Sequence, residues 1–156
     1  MPLKLHYRLL QRGFLAYSRL ARGMTLGVRA MLIESGGVLL VRHTYVPGWY
    51  LPGGGVEAGE SVHEALAREA EEEAGALLTG APELFGIYRN AGTDARDHVA
   101  LFVCRAWERR SGRRPPSREI AAVDIFPMSD LPADATPATV ARIREVQSGA
   151  PPVEDW

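Results

Sequence analysis

Cysteine is nearly absent. Cys104, within the apolar run 99–106, is the only one in 156 residues, which excludes a disulfide framework or a cysteine-based metal cluster and fits a reducing, cytoplasmic setting. Long apolar runs are also missing: every stretch is far shorter than the roughly 20 residues that span a bilayer, and no apolar core with a small-residue cleavage site follows the basic start. Neither charge sign dominates. A net charge of -1 argues against a surface built wholly as a nucleic-acid-binding field. There is no internal repeat, and Gly53-Gly54-Gly55 lacks the lysine and spacing of a phosphate-binding P-loop. What is present, 46% hydrophobic and 24% charged residues, suits one folded domain.

The balanced total hides segregation. Residues 1–30 carry Lys4, Arg8, Arg12, Arg19, Arg22 and Arg29 with no acid, whereas from Glu57 to Glu73 seven glutamates face Arg68 alone. A third block, Arg105 to Arg118, is arginine-rich, is broken by Ser111, Gly112, Pro115 and Pro116, and reads as a basic loop. Leu3, Tyr7, Leu10, Phe14 and Tyr17 recur at helical spacing, with arginines on another side, so residues 1–24 form a basic amphipathic helix. Its default use is to cover one edge of the domain with its arginines in water; contact with anionic lipid and a homodimer interface are the alternatives.

Thr25 to Glu34 and Val38 to Arg42 flank Ser35-Gly36-Gly37 as a β-hairpin, and Val46 to Gly59 is a loop rich in Gly and Pro. Ser61 with Glu64 makes a capping box for a helix that ends at Gly75. Leu84 to Arg89, His98 to Trp107 and Ala121 to Phe126 read as strands, and Thr136-Pro137 opens a last helix stopped by Gly149. Strands and helices mix without βαβ alternation, which predicts an α+β fold with helices packed on a mixed sheet. The expected organisation is the helix over 1–24, one domain over 25–149 and a short tail over 150–156.

Glu69, Glu72 and Glu73 fall at i, i+3 and i+4 of the predicted helix, so their carboxylates project from one side toward a common point. Like charges at that spacing repel by a few tenths of a kcal/mol per pair, and no cation follows Arg68 to relieve them. A hard divalent cation relieves them, and carboxylate oxygens are what Mg²⁺ prefers. Ala67, Ala70 and Ala74 lie on a neighbouring side, available to pack against a sheet.

Gly54, five residues, Glu60, seven residues, then Arg68, Glu69, Ala70, Glu71, Glu72, Glu73, Ala74, Gly75 and Ala76 resemble the Nudix box, G-x5-E-x7-R-E-U-x-E-E-x-G-U. All seven fixed residues are present; Ala70 and Ala76 are smaller than the usual aliphatic. Leu51-Pro52-Gly53 and the stretch from Phe126-Pro127 to Leu131-Pro132 also look like this family. The resemblance implies an α/β/α sandwich with a mixed sheet, to which the N-terminal helix is an addition, and a hydrolase acting on phosphoric acid anhydrides. It implies Glu72, Glu73 and the Gly53 carbonyl as metal ligands, and Glu69 as a further ligand or the base for the attacking water. Glu60 and Arg68 pair to pin loop to helix. A further carboxylate from a distal loop is expected, with Glu119 preferred over Asp94 and Asp97.

The implied reaction is Mg²⁺-dependent, with Mn²⁺ able to substitute, and cuts a nucleoside diphosphate linked to another moiety. Hydrolysis of a nucleoside triphosphate or an RNA 5′ end is the alternative, motivated by the two arginine-rich segments, and a non-catalytic ligand sensor is a third reading that the intact glutamates oppose. Markers of ADP-ribose, diadenosine polyphosphate, NADH and coenzyme A hydrolases are not found. One of Tyr45, Trp49 and Tyr50 is a candidate to stack on a base, with core packing the equal alternative for Trp49 and Tyr50, while His43, His63 and His98 are scattered and read as surface or core residues.

Overall fold

A computed structural model describes residues 13–15, 17, 18, 23–92, 94–110 and 117–156. Nine elements follow in chain order: β1 (Thr25–Glu34), β2 (Gly37–His43), α1 (Val62–Ala74), β3 (Ala76–Leu78), β4 (Glu83–Arg89), β5 (Asp97–Cys104), β6 (Trp107–Arg109), β7 (Ile120–Pro127) and α2 (Pro137–Ser148). The main sheet runs β4-β5-β1-β2-β7, and β3 with β6 makes a two-stranded companion. β1 and β5 are parallel and the other pairs antiparallel, so the sheet is mixed as expected.

Alternation along the strands sends side chains to opposite faces. Val28, Ala30, Leu39, Val41, Ala100 and Phe102 bury one face against Ala65, Leu66 and Ala70 of α1. Met31, Val38, Leu40, Leu101 and Tyr88 bury the other against Ile143 of α2, with Trp49 and Leu51. Helix, sheet, helix is therefore the layering. Small residues let α1 approach closely: Ala70 and Ala76, where the family uses larger aliphatics, are both fully buried.

Helix ends follow the local chemistry. Ser61 caps α1, its hydroxyl accepting from the Glu64 N–H while the Glu64 carboxylate accepts from the Ser61 N–H, and Gly75 closes the helix in the left-handed conformation at φ 64°. Thr136 caps α2, and Gly149 ends it at φ 66°.

β1 and β2 pair only next to their turn, at Ile33 with Val38 and Glu34 with Gly37, and then diverge. The Gly-rich loop fills the fork. On one side Val28 N–H donates to Gly54 O and Ala30 N–H to Pro52 O, while Val56 N–H donates to Leu26 O, and on the other Val41 and Tyr50 exchange both backbone bonds, all at 2.8–2.9 Å. What reads as loop in sequence is thus backbone-paired to both strands.

Several expectations need correction. The block from Arg105 to Arg118 is not one loop: Trp107–Arg109 forms β6 against β3, and Trp107 is anchored by its indole N–H on the Ile33 carbonyl at 3.1 Å. Residues 111–116 lie outside the described residues. Ala67 faces solvent, because the inward stripe of α1 runs through Ala65, Leu66 and Ala70. Of residues 1–24, the described ones are 13–15, 17, 18, 23 and 24; 13–15, 17 and 18 are helical, with Phe14 and Tyr17 63% and 68% exposed, and the rest of the expected N-terminal helix lies outside the described residues.

Residues 150–156 dock along the edge strand β4. Arg89 N–H donates to Glu154 O, Trp156 N–H donates to Arg89 O, and Arg89 pairs with Asp155 at 2.7 Å. Among the described residues no helix is long and apolar enough to cross a membrane.

Candidate active site

α1 turns its glutamates two ways. Glu69 and Glu73 lie on the inward side with side chains 13% exposed, whereas Glu72 is 55% exposed. The single-sided triad expected from spacing is therefore a buried pair with an outer neighbour. Arg68 sits between the two: its Nη1 donates to Glu69 Oε1 at 2.7 Å and lies 3.5 Å from Glu72 Oε2. Its Nε and Nη2 grip both oxygens of Glu60 at 2.8 and 3.1 Å, and Nη2 also donates to the Gly55 carbonyl. One guanidinium fork thus ties the loop to the helix, the geometry in which arginine is strongest. Hydrogen bonding from Arg68 also holds the Glu60 carboxyl below its ordinary range.

The turn at Gly53 and Gly54 is shaped by close approach. Gly53 has φ 149°, and a Cβ there would collide with the Val28 carbonyl, while one on Gly54 would collide with the Glu69 carboxylate. The backbone consequently lies directly against the two buried glutamates. Gly53 N–H donates to Glu73 Oε2 at 2.8 Å, and the Gly53 carbonyl accepts from Arg29 Nη1.

Burial pushes the Glu73 carboxyl up to about 7; Glu69 and Glu119 push the same way, and the Gly53 N–H and the Arg29 charge oppose them only in part. The same burial, reinforced by Arg29, lowers the His43 imidazole, so it stands neutral with Nδ1 3.8 Å from Glu73 Oε1. Tyr45 is raised by burial, then by Glu73, Glu119 and Glu69. These mutual influences bring Glu119 into the field of the buried glutamates. Asp97 is engaged elsewhere, accepting from Thr25 and Asn90, and Asp94 accepts from the Arg96 N–H within its own turn.

The donors are hard oxygens, repelling one another around a turn that presents a backbone carbonyl, a set that fits Mg²⁺ or Mn²⁺ and not a thiophilic metal. Among the described residues no three ligand-type side chains are already gathered tightly enough to hold an ion, since Arg68 engages Glu69 and Glu72 while the Gly53 N–H engages Glu73. Beyond His43 opens a groove of about 390 Å³ lined by Arg42, Tyr45, Pro47, Gly48 and Asp134 among others. Tyr45 is 68% exposed at its mouth, while Trp49 is buried edge-on against Phe126 with Arg42 over its ring. Tyr50 donates its hydroxyl to the Pro47 carbonyl. Of the three aromatics named from sequence, Tyr45 is the most exposed, its ring tilted against the His43 imidazole with centroids 5.2 Å apart.

Two residues were not named for the site from sequence. His43 resembled any isolated histidine, and Arg29 counted as one more cation of the acid-free stretch 1–30. The available signal was their register: His43 ends β2 and Arg29 lies opposite the Gly53 turn on β1, at the fork.

The NUDIX domain family matches residues 23–146. The chain belongs to this family. It is similar to an ADP-ribose pyrophosphatase from Methanocaldococcus jannaschii, 47% identical over 53 residues, 34% of this chain and 31% of that protein. A putative 8-oxo-dGTP diphosphatase from Bacillus subtilis is 53% identical over 69 residues, 44% of this chain and 46% of that protein. The chain thus spans about a third and about half of the lengths of these two relatives. Among solved structures, a MutT Nudix hydrolase from Burkholderia pseudomallei superposes with a TM-score of 0.67 at 28% identity, covering 78% of this chain and 97% of that one.

Proposed function

We propose that this Nudix protein is a pyrophosphohydrolase that uses Mg²⁺, with Mn²⁺ able to substitute, to cut the phosphoanhydride bond of a nucleoside diphosphate linked to another moiety. The observation that carries the reading is the inward pair Glu69 and Glu73 pressed against the Gly53 turn, with the complete Arg68–Glu60 brace behind it. Glu72, Glu73 and the Gly53 carbonyl would hold the metal, and Glu119 would add a carboxylate from the start of β7. A divalent cation there supplies charge neutralisation for the phosphates and acidifies a water. Glu69 would serve as a further ligand or would accept the proton of the attacking water. Arg68 keeps Glu69 in position, and Glu60 keeps Arg68 in position. The products are a nucleoside monophosphate and the phosphorylated second moiety. Tyr45 offers the exposed side of its ring to the base, with the adjoining groove for the rest of the substrate.

A triphosphate substrate is the second reading, favoured by the similarity to the diphosphatase. The test is release of nucleoside monophosphate, phosphate and pyrophosphate with Mg²⁺ across nucleotide sugars, ADP-ribose, nucleoside triphosphates and triphosphorylated RNA, with Glu72→Gln as the paired control. Turnover of diphosphate-linked compounds, lowered more than about 100-fold by the substitution, is expected. Selective turnover of triphosphates moves the assignment to the second reading, and a folded protein inert with both metals is a ligand sensor.

A further inference from the structure

Arg29 holds the backbone oxygen that the metal reading needs. Its Nη1 donates to the Gly53 carbonyl and, at 3.3 Å, to the Leu51 carbonyl, and its charge reaches both Glu73 and His43. A carbonyl already accepting from a guanidinium is a poor ligand, and a second positive charge beside it raises the cost of placing a divalent ion there. Yet the side chain is built in, half-buried on a central strand and bridging two carbonyls of one turn.

We propose that Arg29 is the internal counter-ion of the metal-free site and yields the Gly53 carbonyl when the cation enters, so that it sets how tightly the metal is held. The inference rests on the metal reading above. In the metal-free protein Arg29 neutralises part of the charge of Glu73 and occupies the Gly53 carbonyl. On metal entry the same neutralisation comes from the ion, and the two cations repel. The guanidinium then leaves the carbonyl, its long stem giving it room to move without displacing β1. A site arranged this way stays folded without metal and releases its ion readily.

The direction of the effect separates this role from bracing. A residue that only supported the turn would weaken metal binding when removed, whereas a competitor strengthens it. Protein stripped with EDTA is titrated with Mn²⁺ alone, reading the free ion by electron paramagnetic resonance, for the wild type, Arg29→Met, Arg29→Lys and Glu73→Gln. Roughly tenfold tighter binding is expected for Arg29→Met, with Arg29→Lys, which keeps the charge without the fork, between it and the wild type. Circular dichroism reports whether each variant is folded; if Arg29→Met is not, Arg29→Lys alone carries the comparison. Unchanged or weaker binding by the folded arginine variants overturns the proposal. A wild type that binds no Mn²⁺, or binds it no better than Glu73→Gln, removes the metal reading and this inference with it.

Discussion

On the α2 face, Arg142 is only 4% exposed, yet its guanidinium donates to Glu145 at 2.9 Å and to the Asp155 carbonyl at 2.8 Å and lies 4.4 Å from the centre of the Tyr88 ring. Glu145 in turn accepts from the Tyr88 hydroxyl at 2.9 Å. On the α1 face, the Glu73 side chain is 13% exposed and has one backbone N–H, a neutral imidazole and two other carboxylates around it, with the Arg29 charge offsetting its burial only in part. The first arrangement is a nearly closed ion pair, with Arg142 Nε its one atom lacking a partner; the second is an open one. Buried charge is tolerated structurally when paired, and a carboxylate compensated only in part is the arrangement that recurs at functional sites. The same sheet therefore carries one face with a nearly closed ion pair and one face with a partly compensated carboxylate.

The largest expected effect comes from opening the closed pair. Arg142→Met leaves Glu145 buried without its cation and should lower unfolding free energy by about 3–5 kcal/mol, read from urea denaturation. A loss under about 1 kcal/mol would erase the contrast between the faces. Next comes Glu73→Gln, which should reduce turnover more than about 100-fold while making the metal-free protein more stable at alkaline pH. The folded carboxyl sits at about 7 against an ordinary value of 4.5. Its contribution is thus full below about 4.5 and is lost as pH rises through about 7, amounting to at most about 3 kcal/mol. Melting curves in EDTA at pH 5 and pH 8 should show the Gln variant gaining on the wild type at the higher pH, and parallel curves would contradict the open-site description. The smallest effect is Tyr88→Phe, which removes one donor from Glu145 and should cost about 1.5 kcal/mol with turnover unchanged; altered kinetics would mean that the two faces are coupled.

Much of the fold was legible because it is written in local chemistry. The capping box at Ser61 and Glu64, Pro137 after Thr136, and the glycines at 75 and 149 each declare a helix end through a backbone need that few residues meet. The glutamates of α1 were legible as a set, since their spacing is fixed by the helix. Which way each points was not, because that depends on how α1 rolls against the sheet, and the roll is set by Ala65, Leu66 and Ala70. β6 was missed for a related reason: three residues, two of them charged, carry no period of their own and become a strand only because β3 is there to pair with. Arg29 and His43 are brought to the site by strand register, which no short window of sequence contains.

The fork between β1 and β2 bears on how such a chain can diversify. Surface loops ordinarily tolerate changes in length, but residues 50–56 are stitched to Leu26, Val28 and Ala30 on one strand and to Val41 on the other. An inserted residue there would shift the carbonyls and collide with the strands that enclose them. The segment 44–48 at the mouth of the groove is anchored at Thr44, whose N–H and hydroxyl donate to the Glu119 and Arg118 carbonyls, without being paired to both β1 and β2. New substrate preferences in this lineage should therefore arise by lengthening and reshaping that segment, while the turn at Gly53 keeps its length.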